Sequence, residues 1–398
     1  MQRKTVRDIE LRGQRVVARV DYNVPLDAEG RVGDDLRIRE TLPTLRHIVD
    51  HGAALVLMAH LGRPKGKVLP GMSLKPVAGR LSELLGRPVI MAPDCVGAET
   101  ERMAAHLNPG EILLLENLRF HKEEEANDPE FARQLAAMGE VYVNDAFGTA
   151  HRAHASTEGI TRYMKTSVAG FLMEKELNAF HTLLAAPRRP VLAVLGGAKV
   201  SDKIGVLKSL LRVADSIFVG GAMANTFLLA KGLSVGLSLA EPGSVNTARE
   251  AMAEASRLGK ELLLPVDVVT ARDLIPGSPT AAVPVEAIPA DAKIFDIGPR
   301  SRELVYSACA KAGTVFWNGP MGVFEVPPFD EGTTATARAL AAATSAGAVT
   351  VVGGGDSGAA IEKAGLAKAV SHLSTGGGAS LELVEGRALP GVDALEAR

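Results

Sequence analysis

Arginine and histidine gather just after apolar runs in the first half of the chain. Asp21-Tyr22-Asn23-Val24-Pro25 closes one run, and His60-Leu61-Gly62-Arg63-Pro64 a second. Glu116-Asn117-Leu118-Arg119-Phe120 follows a third, and Asn144-Asp145-Ala146-Phe147 leads into His151-Arg152-Ala153-His154. Arg37 opens a helical stretch. A guanidinium fork matches carboxylate and phosphate oxygens, while Asp21 and Asn23 suit a hydroxyl. A single Arg or His after a strand is ordinarily a solvated or capping residue, and Asp21 alone could cap a turn. Convergence from five segments on one rim instead implies a small, hydroxylated polyanion as ligand. A nucleic-acid groove is disfavoured, because interleaved aromatics and a basic balance are missing: the net charge is −2.

The second half puts glycines at the same kind of position: Gly196-Gly197, Gly220-Gly221, Gly319-Pro320-Met321-Gly322 and Gly353-Gly354-Gly355-Asp356-Ser357. Glycine admits close approach of backbone to ligand, and free N–H groups at a helix start bind phosphate. Any one pair could be a plain tight turn. Lys199 and Lys203, four apart, are expected on one face of a helix beginning near Val200, aimed at the distal phosphates of a nucleotide. Asp356 beside a phosphate needs an intervening cation, which makes it the Mg²⁺ candidate; otherwise it caps its helix. Glu325 could accept from ribose hydroxyls. The sequence contains neither a G-x-x-x-x-G-K-[ST] loop nor a G-x-G-x-x-G after the first strand of either half.

These groups need a scaffold that presents strand ends. Continuous apolar runs at Val16–Asp21, Ala54–His60, Val89–Ala92, Ile112–Glu116 and Val141–Asp145 alternate with helical stretches Leu36–His51, Leu74–Leu85 and Pro129–Met138. The second half repeats the plan, with strands expected at Val191–Leu195, Ser216–Val219, Leu262–Val266, Lys293–Asp296, Thr314–Trp317 and Val349–Val352. Its helices are expected at Val200–Arg212, Thr247–Leu258, Arg302–Ala312 and Thr333–Ala343. Such alternation implies parallel sheets. With 398 residues, 46% of them hydrophobic, two cores are expected rather than one. The fold is therefore read as α/β, two doubly wound parallel-sheet (Rossmann-like) domains joined by a hinge helix. The expected domains are 1–167 and 187–385, with the connecting helix at 168–186. Glu123–Glu125 reads as a solvated loop without chemistry. Cys95 and Cys309 lie far apart, allow no CxxC pair, zinc spacing or disulfide framework, and read as buried, inert thiols. No signal-peptide core or membrane span is visible, so a cytoplasmic protein is expected.

Together the motifs resemble the phosphoglycerate kinase family over essentially the full chain. The resemblance is carried by Arg19-Val20-Asp21-Tyr22-Asn23-Val24-Pro25, His60–Pro64, Glu116–Phe120 and Ala150–His154. It continues through Leu195-Gly196-Gly197-Ala198-Lys199-Val200, Trp317–Glu325, Gly353–Ser357 and Ser374-Thr375-Gly376-Gly377-Gly378-Ala379-Ser380. It implies that Asp21, Tyr22, Asn23, Arg37, His60, Leu61, Gly62, Arg63, Arg119 and Arg152 bind 3-phosphoglycerate or 1,3-bisphosphoglycerate. It likewise assigns Gly196, Gly197, Lys203, Gly220, Gly221, Pro320, Val323, Glu325, Gly353, Gly354, Gly355, Asp356 and Ser357 to ADP or ATP, with Mg²⁺ on Asp356. Arg37, Lys199, Lys203, Gly354 and Gly355 are the implied catalytic groups. The resemblance also implies a monomer whose tail, 386–398, packs on the first domain. Tyr22 stands where the family often has Phe, and Ile294 where some members have glycine.

The acceptor in the ATP-consuming direction is a carboxylate, already ionised at neutral pH, so no general base is required. Alignment and charge stabilisation of an in-line transfer should suffice. With ligands on two lobes, transfer calls for hinge closure, for which the 168–186 helix and Ser374–Gly378 are the candidates. The rival readings are an NAD-dependent dehydrogenase, which needs the missing dinucleotide fingerprint, and a hinged non-catalytic anion binder, which needs a signal peptide and no lysine pair.

Overall fold

The computed structural model describes residues 2–398, which divide into two compact units. Of the described residues, unit 1 holds 2–178 with 388–398, and unit 2 holds 179–387. In unit 1 the Val- and Leu-rich runs become six strands: β1 (Arg15–Val20), β2 (Ala54–Met58), β3 (Val89–Met91), β4 (Ile112–Leu114), β5 (Val141–Asp145) and β6 (Thr166–Ala169). They pair in the order β3-β4-β2-β1-β5-β6, every pair parallel. β2 is buried along its whole length, as a strand covered by helices on both faces must be. Val16, Ala18 and Val20 of β1 share a core with Leu55 and Leu57 of β2 and with Ile38, Leu45 and Ile48 of the helix Leu36–Asp50. Burying each of these Val, Leu and Ile side chains contributes about 1.5–3 kcal/mol.

Unit 2 holds β7 (Val191–Leu195), β8 (Ser216–Val219), β9 (Glu261–Leu263), β10 (Asp267–Ala271), β11 (Ala281–Pro284), β12 (Lys293–Ile297), β13 (Thr314–Asn318), β14 (Val349–Gly353) and β15 (His372–Leu373). Six of them form a second parallel sheet, β15-β14-β13-β7-β8-β9. The other three, β11-β10-β12, make a separate antiparallel sheet with an irregularity at Val269/Thr270. Of the expected strand Leu262–Val266 only Leu262 and Leu263 lie in a strand, β9, and the next strand, β10, starts at Asp267 in the other sheet. The chain leaves the parallel sheet after Leu263 and turns at Pro265, which has no N–H for a ladder. Lys293–Ile297 likewise pairs antiparallel rather than in the main sheet.

The linking helix runs Phe171–Ala185, and the division between units falls inside it, at Asn178/Ala179. Val168, expected in this helix, belongs to β6 and pairs with Val143. Asp145 explains the start of the helix: its Oδ1 accepts from Met173 N at 3.1 Å, and a Cβ on Gly170 would strike its carboxylate. In the tail, Leu389, Val392 and Leu395 are buried. There Lys4 N donates to Glu396 O at 2.9 Å, and Asn144 Nδ2 to Gly391 O at 3.0 Å.

Candidate active site

Parallel strand order fixes where side chains can gather. In each large sheet the direction of chain progression reverses beside its first strand: β1 lies between β2 and β5, and β7 between β8 and β13. Crevices open beyond the carboxyl ends of strands at such points.

In unit 1, Asp21 follows β1, and its Oδ2 accepts from Arg37 Nη1 at 2.7 Å. Asn23 Oδ1 accepts from Gly62 N at 2.8 Å, and Gly62 O accepts from Arg119 Nη1 at 2.9 Å. The loops after β1, β2 and β4 are therefore laced together. Gly62 sits at φ +64, where a side chain would be strained and would press on Met72. Arg119 is 5% exposed. Its segment is held by Asn117, which bonds Leu61 O, Met72 O and Arg119 N, and by Glu116, which accepts from Ser73 Oγ and Leu74 N. Arg63 and Arg152 are exposed, and among the described residues neither has a carboxylate partner. Two sequence expectations change here. The Tyr22 side chain turns into the core and bonds Thr41 Oγ1 at 3.0 Å, because successive side chains of an extended segment alternate faces. Leu61 is also a core side chain, its backbone taken up by Asn117. Neither side chain faces the rim.

Beneath this rim lies a charged layer that the sequence reading passed over. Arg19, 1% exposed, donates from Nε to Ser156 Oγ at 2.9 Å and from Nη1 to Val20 O, and its Nη2 meets His60 Nδ1 at 3.0 Å. Glu124, also 1% exposed, accepts from Ser156 Oγ at 2.6 Å and Ser156 N at 3.0 Å. The Glu123–Glu125 run is therefore not a solvated loop. It lies in the helix Lys122–Glu125, and its middle member is a buried counter-charge beside Arg19. Burial holds the Glu124 carboxyl above its usual range, with Arg19 pulling the other way. Burial, then the arginines, push His60 well below the ordinary imidazole value and His154 down to about 4. Both rings are neutral at pH 7, so the positive charge of the rim belongs to the arginines.

In unit 2, a cleft of about 250 Å³ is lined by Gly197, Gly221, Ile294, Pro320, Val323, Glu325 and Asp356, among others. Ile294 forms part of its wall. Gly196, Gly220, Gly221 and Gly319 pack loop against loop: a Cβ on Gly196 would strike Pro320 O, one on Gly319 would strike Gly196 O, and one on Gly221 would sit 2.6 Å from Gly197 N. Their smallness is required by the fold before any ligand arrives. Gly355, at the start of the helix Gly355–Lys363, has nothing within 4 Å of a notional Cβ, so that N-terminus is open. Ser357 is buried and accepts from Gly319 N at 2.6 Å, while Asn318 Nδ2 bonds Gly353 O at 2.6 Å. Asp356 is exposed in the first helical turn and makes no capping bond.

The helix expected from Val200 begins at Ile204, with Lys203 as its N-cap. Lys199 lies exposed in the preceding loop, so the two lysines share no helical face. Lys203 is half-buried against Asn318 Oδ1; burial pushes its ammonium down to about 8, opposed by Asp356 and Asp202. A larger groove of about 700 Å³ in unit 1, near Gly33 and Gly79, has its cations already paired, Arg80 with Asp35 at 2.6 Å and Arg39 with Asp35 at 2.7 Å.

An arginine rim and a glycine–lysine cleft, on two doubly wound units, define a two-domain α/β phosphotransferase. Residues 6–387 match the family model described as phosphoglycerate kinase. The chain is 56% identical over 395 residues to a phosphoglycerate kinase of Chlorobium luteolum, covering 99% of this chain and all of that one. It is 55% identical over 398 residues to one of Chloroflexus aggregans, covering all of this chain and 99% of that one. The solved phosphoglycerate kinase of Coxiella burnetii superposes with a TM-score of 0.89 at 40% identity, covering 98% of each chain. That of Pyrococcus horikoshii gives 0.84 at 33% identity, covering 99% of this chain and 98% of that one. The chain belongs to the phosphoglycerate kinase family. Its activity is phosphoryl transfer of that kind, and the dehydrogenase and non-catalytic readings find no support.

Proposed function

We propose that the unit 1 rim holds 3-phosphoglycerate or 1,3-bisphosphoglycerate and the unit 2 cleft holds ADP or ATP, with direct transfer between them. The observation that carries this is the set of arginines on the segments that follow the strands of unit 1. Arg37 and Arg119 are oriented by bonds to Asp21 and Gly62, and Arg63 and Arg152 are left without carboxylates. Four guanidinium groups with so few counter-charges at the surface call for an anionic ligand. Asn23 and Asp21 take its hydroxyl, and Gly62 contributes backbone. His60, neutral and backed by Arg19, serves as a fixed hydrogen-bond partner, not a proton carrier.

On the nucleotide side, Pro320, Val323 and Ile294 cover the base, and Glu325 takes the ribose. Lys203 and the N–H groups of Gly354 and Gly355 take the phosphates. Asp356, an exposed carboxylate at an open helix start, fits the one-carboxylate mode in which Mg²⁺ is commonly held beside phosphates. When bound, the ion neutralises phosphate charge. The acceptor carboxylate is ionised at pH 7, so no residue must remove a proton from it. Arg37, Lys199 and Lys203 stabilise charge on the phosphoryl group in flight. The two ligands are carried by different units, so closure precedes transfer and keeps water from the acyl phosphate. We place the enzyme in the cytoplasm as a monomer; among the described residues no helix is long and apolar enough to cross a membrane. A coupled assay of ATP formation from 1,3-bisphosphoglycerate and ADP tests the reaction. Retention of full activity in an Arg63→Ala/Arg152→Ala double variant would remove the rim from it.

A further inference from the structure

The first unit gathers three metal-ligating side chains that phosphoryl transfer does not use. Asp94 and Cys95 sit in the loop after β3, and His121 is the N-cap of the helix Lys122–Glu125. One Asp94 oxygen, the Cys95 Sγ and one His121 ring nitrogen all lie within 4.8 Å of one another. Asp94 Oδ1 and His121 Nε2 are 2.7 Å apart. The thiol is fully buried at the base of the cluster, whereas the Asp94 side chain is 46% exposed and that of His121 26%, leaving an entry from solvent.

The surroundings hold these groups in place. The His121 ring packs on Phe131 with centroids 5.3 Å apart. Cys95 N donates to Asp94 Oδ1 at 2.7 Å, and Thr100 Oγ1 to Asp94 O at 3.1 Å. Asp94 and the buried Glu124 both face the thiol with negative charge, which favours a cation there.

We infer that Asp94, Cys95 and His121 form a binding site for a divalent transition metal of the Zn²⁺ class, with water as the fourth ligand. The donor set decides the class. Sulfur and imidazole nitrogen select Zn²⁺, Co²⁺ and their neighbours, while Mg²⁺ demands oxygen. Tetrahedral bonds of roughly 2.0–2.3 Å place ligand atoms about 3.3–3.7 Å apart. Small side-chain rotations reach that spacing from the present cluster, with the Asp94–His121 contact opening by about half an ångström. The metal takes the lone pair of His121 Nε2, so the ring carries its proton on Nδ1. The Cys95 proton, and that of His121 where the ring is charged, leave to solvent; no electron is transferred. Ligation releases the thiol proton, so affinity rises with pH. The ligands come from two separate loops, and no local spacing in the sequence announces the site.

The test uses the full chain without a polyhistidine tag, stripped with chelator and titrated with Co²⁺ in nucleotide-free buffer. Expected is one equivalent of tetrahedral Co²⁺ with a thiolate-to-metal charge-transfer band in the near ultraviolet, displaced by Zn²⁺. Cys95→Ser removes the band, and Cys309→Ser leaves it unchanged. His121→Asn weakens Co²⁺ binding by about tenfold or more with the unfolding midpoint little altered, which separates lost ligation from lost folding. The site is refuted by any of three results: no band in excess Co²⁺, a band that survives Cys95→Ser, or unchanged affinity in His121→Asn.

Discussion

Glu124→Gln isolates the charge of the buried layer while keeping its shape. The carboxylate accepts two bonds from Ser156, at 2.6 and 3.0 Å, and Arg19 donates to the same hydroxyl at 2.9 Å. An amide keeps one acceptor and turns an NH₂ toward a donor, leaving one buried group unsatisfied at a cost of about 1–3 kcal/mol. It also strips Arg19 of its neighbouring negative charge, and breaking a buried pair from one side costs about 3–5 kcal/mol in all. Burial already penalises the ionised carboxylate, as its raised pKa shows, so the lower end applies: about 3 kcal/mol, or a fall in Tm of roughly 6–12 °C for a unit of this size. Trp317, the single tryptophan, is in unit 2. Its fluorescence is the internal control, and hydrogen exchange of the β1 and β5 amides reports unit 1. Arg19→Met added to Glu124→Gln should recover part of the loss, since two matched apolar groups leave no charge stranded. A change under about 0.5 kcal/mol in Glu124→Gln, the size of an ordinary surface substitution, would refute the account of Glu124 as a counter-charge.

Arg37→Ala should lower kcat by roughly 10²–10³-fold with a smaller rise in KM, measured in the coupled assay; the opposite split would make Arg37 a ground-state binder. Nucleotide affinity, followed by calorimetry, should decline as pH rises through about 8. The protonated Lys203 is the phosphate-binding form, and its folded pKa lies near that value; in Lys203→Met this alkaline limb should vanish. Asp356→Ala should weaken Mg²⁺-dependent nucleotide binding by about tenfold, near 1.4 kcal/mol, at nearly unchanged stability, because the side chain is exposed and caps nothing. His154→Asn should flatten the loss of unit 1 stability on acidification. The folded imidazole titrates near 4 and the unfolded one near its ordinary value, so stability is full above about 6.5 and is lost as pH falls toward 4.

The parallel sheets were legible because buried strands must be continuously apolar, and their ends then located Asp21, Arg37, Arg119 and the glycine loops. Burial of charge was not legible. Glu124 sits among three consecutive acids that look solvated, and only the fold brings Ser156 and Arg19 against it. Arg19 was hidden inside a strand motif. Tyr22 and Leu61 stand among rim residues in sequence, but their side chains point into the core. The four-residue spacing of Lys199 and Lys203 suggested one helical turn, yet Ser201 and Asp202 keep the chain in a turn until Ile204. The antiparallel sheet escaped because a short apolar run does not reveal which partner it will take.

The chain leaves unit 1 inside the Phe171–Ala185 helix and returns at Ala388, bringing Leu389, Val392 and Leu395 to its core. In covalent terms the second unit is an insertion within the first. During synthesis the domain begun earlier is therefore completed only after unit 2 has been made. Its sheet can pair once β6 has emerged, but the arm around Lys4 and the Asn144 amide await partners made after unit 2. The usual N-terminal-first order of domain folding is inverted for its final step. A ribosome-bound chain lacking these residues should expose unit 1 to protease while unit 2 is already resistant.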